Sequence, residues 1–278
     1  YSTIGFNHFG KVAVMEELKE ELLSNDGKFD FAIGFKGTVA IGFQSRQSGY
    51  NLKVIRNSPT EQYKWGMFEG VHSVLEKYSR VHVINRTGSM LDNIIFYRVK
   101  LERIWFTNAL LEELLNEASE CVTLQGNFLF FRHLIVQRRL TPLPVYLETS
   151  SQAESEAAVI NLGHCIKNNM AANIFNKDLD ARNYGVGVFG GVYLFDYDAL
   201  EKFTEVKIRT NQNQFEGEEE IPEWFFEDGV VFLPEEIESG LRIPSRSLRR
   251  LFREVHGDLL QVGYYERIQD ELRVGEVP

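Results

Sequence analysis

The chain has 278 residues, 44% of them apolar, with a formal net charge of −10. That length holds one large or one two-lobed domain with a sizeable core, and the acidic balance argues against nucleic acid as the main partner. Two cysteines, Cys121 and Cys165, exclude a disulfide scaffold and fit a reducing cytoplasm. No apolar run of about 18 residues is present to cross a membrane, and no signal-peptide pattern opens the chain. The chain begins on Tyr1 rather than Met, which reads as a piece of a longer protein.

Residues 8–25 have the period of an amphipathic helix, with Met15, Leu18 and Leu22 on one face, Glu16, Glu17, Glu20 and Glu21 largely outward, and Asp26-Gly27 as the stop. Three strand-like runs follow, Phe29–Ile33, Thr38–Phe43 and Leu52–Ile55. The glycine turn Gly34–Gly37 lies between the first two, and Lys53 sits on the third. This turn lacks a full GxGxxG and alone suits an ordinary hairpin. With Lys53 one strand later it has the layout of a phosphate-covering loop and a phosphate-pairing lysine. Lys53 could otherwise be an edge-strand residue whose head reaches solvent.

Pro59 reads as the start of a second helix, with Met67, Val71, Val74, Leu75 and Tyr78 on one face. Glu61, Glu69 and Glu76 are all candidates to pair with Lys53. Asn85–Asp92 is a break rich in turn formers. Ile94–Leu101 reads as a strand, 108–120 as a helix with Leu110, Leu111, Leu114 and Leu115 inward, and 128–136 as an apolar strand. The polar run 137–139 suits a hinge. Ser151 and Glu154 form a capping box for a helix that buries Val159, Leu162, Ile166 and Met170.

A loop and a hairpin come next: Asn183–Val188, a turn at 189–191, and Val192–Phe195. Asn183 follows Asp178 by five positions, and Asp196 follows Asn183 by thirteen. Asp and Asn are ordinary turn formers, so each alone would carry no function. Jointly they have the spacing of a kinase catalytic loop, in which Asp positions the substrate hydroxyl and Asn and a strand-end Asp hold magnesium. Beyond them, Glu216–Glu220 reads as a solvated loop, Trp224, Phe225 and Phe226 as packing, and Leu248–Leu260 and Tyr264–Leu272 as closing helices. His133, His164 and His256 have no metal-ligand spacing and read as structural.

The runs FRHLIVQRRLTPLPVYLE (131–148), AANIF-x-x-D (171–178), RNYGV (182–186), FDYD (195–198), FTEV (203–206) and FLPEE (232–236) closely resemble the isocitrate dehydrogenase kinase/phosphatase (AceK) family. The likeness runs from about Gly5 to the C-terminus. It implies an α+β, bilobal protein-kinase-like fold with a small β-rich N-lobe and a larger, mostly helical C-lobe. In that layout residues 1–28 are a helical lead-in, 29–137 the N-lobe and 138–278 the C-lobe with its substrate-recognition segment.

By resemblance Ala32, Ile33, Gly34, Phe35, Lys36, Gly37 and Thr38 form the ATP-binding loop and Lys53 is the ATP-binding lysine. Asp178 is the catalytic acid, Asn183 and Asp196 are the metal ligands, and Asp92 and Asp198 are linked to a phosphatase reaction in the same site. The cofactors implied are ATP or ADP and Mg2+. The partner implied is isocitrate dehydrogenase as protein substrate in the cytoplasm, with no nucleic acid and no membrane, and a homodimer is among the expected states. The change at Ile160-Asn161, where the family carries an acidic pair, leads us to expect weak dephosphorylation. Two rivals stay open, a nucleotide-binding regulator without catalysis and a kinase of another protein or a small molecule.

Overall fold

The computed structural model describes residues 10–24, 27–34, 36–63, 68–211, 223–276 and 278. Contacts divide the chain into two units, residues 1–83 with 91–140, and residues 84–90 with 141–278. The first is built on an antiparallel sheet and the second is rich in helix, so the chain is α+β.

In the first unit the β-branched and aromatic runs pair into one six-stranded sheet. Its strands are β1 (Phe29–Phe31), β2 (Ala40–Ser45), β3 (Tyr50–Ile55), β4 (Asn93–Glu102), β5 (Val122–Gln125) and β6 (Phe128–Arg138). The order is β1-β2-β3-β6-β4, with β5 also on β6. Two-residue alternation sends Leu52 and Val54 into the core and leaves Lys53 on the opposite face. Phe29, Phe43, Phe106 and Phe131 form the aromatic centre of that core, with ring centroids 5.2–6.3 Å apart.

Helix α1 (Gly10–Ser24) packs Val14, Leu18 and Leu22 on this core, one turn apart each; Met15 lies only partly inside. The expected residues 8, 9, 25 and 26 lie outside the described residues. Helix α2 spans Val71–Ile84 and buries Val74, Tyr78 and Val81. It does not start at Pro59. Thr60 there gives its N–H to Thr38 O at 2.9 Å, and Gly70, with φ +91°, blocks a helix from running through. Met67 lies outside the described residues. Helix α3 (Asn108–Glu117), capped by Thr107, stops short of the expected residue 120 and buries Leu110, Leu111 and Leu114, with Leu115 only partly inside. The run 137–139 is not a loop from its start: Gln137 and Arg138 continue β6, Gln137 pairing with both Asn51 and Asn93.

In the second unit, β7 (Thr141–Pro142) and α4 (Leu143–Thr149) lead to α5 (Gln152–Ala171). Ser151 and Glu154 cap α5 reciprocally, and Val159, Leu162, Ile166 and Met170 are buried as expected. Strand β8 (Ile174–Asn176) enters the loop, β9 (Tyr184–Val186) and β10 (Val192–Leu194) form the hairpin, and β11 (Leu200–Lys202) returns antiparallel to β8. Strands β12 (Lys207–Ile208) and β13 (Val231–Phe232), then α6 (Ile237–Leu241), α7 (Arg246–His256) and α8 (Val262–Arg273) complete it. The hairpin turn is longer than the expected 189–191. Gly187 and Gly191 close it through an N–H to O bond of 2.9 Å, and Gly190 supplies the positive φ.

Helix α5 meets α7 at Gly163, where a Cβ would collide with the buried ring of His256. His256 Nε2 lies 2.9 Å from Ile160 O; a carbonyl only accepts, so Nε2 carries the proton. Burial keeps this imidazole below its ordinary pKa and that of His133 down at about 4, which suits two neutral structural histidines. The packing expected of the aromatic trio is met only in part, with Trp224 half-buried and the ring of Phe225 in contact with both its neighbours. Phe225 and Phe226 are 65% and 72% exposed, while Trp224 bonds Asn211 Oδ1 through its indole N–H. Residues 216–220 lie outside the described residues.

Candidate active site

The second unit gathers the acids of the loop and hairpin. Strand β8 ends at Asn176, whose side-chain oxygen accepts the N–H of Asp178 at 3.1 Å and turns the chain. Asp180 repeats the device, accepting from Arg182 N at 2.9 Å, and its carbonyl accepts from Asn183 N at 3.0 Å. The loop then closes on itself. Asn183 Nδ2 donates to Asp178 O at 2.9 Å, and Phe195 N donates to Asn183 O at 3.0 Å, so the residue before Asp196 is tied to Asn183. Tyr197 is fully buried between Asp196 and Asp198, which both stay partly exposed.

Charge in this cluster is unbalanced. Burial pushes the Asp178 carboxyl above its ordinary pKa; a hydrogen bond from Asn183 opposes this, the charges of Asp180 and Asp196 add to it, and Arg182 opposes it. Asp180 is itself buried and offset by Arg182 at 2.8 Å and Arg242 at 3.6 Å. Asp180, Arg182 and Arg242 are functional-site neighbours that loop spacing did not single out. A charged residue at every second position from Asp178 to Arg182 was the available signal.

Magnesium takes hard oxygen ligands and keeps several waters. The donor set fits: Asn183 bonds Asp178 O through Nδ2, a bond that does not use Oδ1, and the charge of Asp196 is near enough to act on Asp178. Among the described residues no three His, Cys, Asp or Glu side chains form a metal cluster. An Asn plus one Asp completed by water and phosphate oxygens does not require one.

In the first unit, Lys53 pairs across the sheet with Gly42 and Ile135, and the bare Gly42 lies by the methyl of Ala32. Lys53 Nζ is 3.3 Å from Tyr78 Oη and 5.4 Å from the centre of that ring. Tyr78 is thus an α2 side chain placed on the lysine, and Glu61 and Glu69 precede that helix. Glu76 is exposed, and Glu69 accepts from Ser73 Oγ at 2.6 Å near the start of α2.

The turn carrying Ala32, Ile33, Gly34, Lys36, Gly37 and Thr38 is held by Ala32 N donating to Gly42 O at 3.0 Å, and Gly34 has φ +117°. Phe35 lies outside the described residues. Asp92 also belongs to the first unit, its Oδ1 3.7 Å from Nδ1 of His82. A cavity of about 510 Å³ in this unit is lined by residues such as Glu21, Asp30, Gln44 and Arg46, and includes neither Lys53 nor Asp92.

The kinase-domain model of isocitrate dehydrogenase kinase/phosphatase (AceK) matches residues 27–278. The chain belongs to the AceK kinase-domain family. Proteins named isocitrate dehydrogenase kinase/phosphatase from Rhodopseudomonas palustris strains HaA2, BisB5 and CGA009 are 55%, 54% and 54% identical to it over all 278 residues. The chain spans 44–45% of the length of these AceK relatives. The AceK match includes the glycine turn, Lys53, Asp92 and the whole loop and hairpin. No helix among the described residues is long and apolar enough to cross a membrane.

Proposed function

We propose that this chain is the bilobal, kinase-like catalytic portion of a cytoplasmic isocitrate dehydrogenase kinase/phosphatase. It phosphorylates a serine of isocitrate dehydrogenase and so governs flux between the citric acid cycle and the glyoxylate bypass. The observation that carries the reading is the loop in which Asn183 is bonded to Asp178 and tied through Phe195 to Asp196. A family match over residues 27–278 supports it. Intact Asp178, Asn183 and Asp196 disfavour a regulator without catalysis.

In this reading Ala32–Thr38 covers the phosphates of ATP and Lys53 pairs with them. Asn183 Oδ1 and the Asp196 carboxylate hold Mg2+, which would neutralise charge developing on the phosphoryl oxygens. Asp178 orients the serine hydroxyl and receives its proton. Its raised pKa makes it a better proton acceptor than an ordinary aspartate, provided the pH keeps it ionised. In dephosphorylation Asp92 and Asp198 direct a water onto the phosphoserine, which releases inorganic phosphate and the free serine hydroxyl. Little covalent work is left to the protein, so positioning carries most of the rate.

The test is incubation with labelled ATP, Mg2+ and purified isocitrate dehydrogenase. Label should enter a serine with the unmodified chain and not with Asp178→Ala. Equal labelling by both would overturn the reading.

A further inference from the structure

The glycine turn is not held by the sheet alone. Helix α3, which no part of the phosphate-binding pattern includes, is stitched to the chain before the turn, at the turn and after it. Before it, Thr107 at the helix N-cap donates Oγ1 to Asp30 Oδ1 at 3.1 Å and its N–H to Phe29 O at 3.0 Å, both on β1. After it, Asn57, two residues past β3, donates its N–H to Glu117 O at 2.8 Å; its side chain bonds Ser119 and Glu120 N.

At the turn itself, Glu113 in mid-helix divides its carboxylate. Oε2 accepts from Lys36 Nζ at 2.9 Å and Oε1 from Arg56 Nη2 at 2.5 Å. Arg56, 1% exposed at the end of β3, in turn points Nε at Gly37 O at 3.3 Å and gives its N–H to Val39 O at 2.8 Å.

Burial alone would push the Glu113 carboxyl up, but the bonds from Lys36 and Arg56 outweigh it and hold it below the ordinary range. The carboxylate is therefore charged and the buried guanidinium is compensated, as a buried cation requires. Gly37 packs closely on its own turn, since a Cβ there would strike Ala40 O. Lys36 is 63% exposed and is the one partner of Glu113 that reaches solvent.

From this bracket we infer that Glu113 and Arg56 are positioning residues for nucleotide binding: they fix the height and pitch of the Lys36-Gly37 turn, so that helix α3 sets how the turn closes over the phosphates. Neither residue touches the nucleotide. The inference rests on the reading of Ala32–Thr38 as the phosphate-covering loop. It concerns a helix outside that loop.

The test compares ligands that differ only in phosphates. ATP with Mg2+ and adenosine are titrated into the unmodified chain, Lys53→Met, Glu113→Gln and Arg56→Lys, with thermal unfolding recorded for each. Glu113→Gln keeps the shape but loses the charge that holds both cations, and should weaken ATP about tenfold while adenosine binding stays the same. Arg56→Lys keeps the charge and loses the fork that spans Gly37 and Glu113, and should give the same selective loss.

If both ligands weaken in parallel with a fall in melting temperature, the bracket is merely structural and the inference fails. Unchanged ATP binding in Glu113→Gln, with a loss in Lys53→Met, also overturns it and spares the loop reading. Absence of ATP binding in the unmodified chain removes the loop reading itself.

Discussion

The side-chain amide of Asn183 donates to the backbone carbonyl of Asp178 across 2.9 Å. One residue thus ties down the backbone of the acid through its amide nitrogen, and that bond does not use its side-chain oxygen. Asn183→Ala should remove both the tether and the oxygen, costing at least about 100-fold in phosphorylation rate, more than Asn183→Asp, which keeps a side-chain oxygen. Steady-state phosphorylation at saturating Mg2+ checks this; equal losses would remove the metal role of Asn183.

Asp178→Ala should abolish phosphorylation and leave ATP affinity within a few-fold, because the acid addresses the hydroxyl. Since burial and the charges of Asp180 and Asp196 raise its pKa, the acid limb of the rate profile should lie above the ordinary aspartate range. The sign for stability follows. A carboxyl raised in the folded state favours folding only while protonated, and loses that favour as pH rises through its folded pKa. Asp178→Asn should therefore raise the melting temperature at neutral pH, with a gain that vanishes in acid.

Lys53→Met should weaken ATP or slow transfer by removing a cation beside the phosphates, while Asp196→Ala should abolish the Mg2+ dependence of ATP binding. Binding that is already indifferent to Mg2+ in the unmodified chain would favour a regulator without catalysis.

Asp92→Ala should spare most phosphorylation and remove whatever dephosphorylation exists, measured as phosphate release from phosphorylated isocitrate dehydrogenase with ADP and Mg2+. Loss of the kinase with survival of the phosphatase would reverse the assignment. Asn161, where the family carries an acid, donates to Gly190 O at 3.2 Å and braces the hairpin turn.

Gly163→Ala should destabilise the fold by about 1–3 kcal/mol, because the new methyl meets the buried His256 ring where α5 crosses α7. Chemical denaturation gives the difference. A neutral result would mean that these helices part without cost.

Local chemistry was readable from the chain. The capping box at Ser151 and Glu154, the leucine spacing of α3, and the hairpin after Asn183 each follow from neighbours a few positions apart, and all three form. So did the spacing of Asp178, Asn183 and Asp196, because one short loop and one hairpin carry them.

Contacts between distant stretches were decided by packing. The start of α2 is delayed to Val71 because Thr60 is taken by Thr38 and Gly70 breaks the path. Lys53 meets Tyr78, and two positions along a helix turn Glu76 away from the face that buries Tyr78. Glu113 reaches Lys36 and Arg56 from 77 and 57 positions away. Periodicity reports which face of a helix is apolar; which charged side chain on its border finds a partner depends on the sheet it lies against, and only the folded chain supplies that.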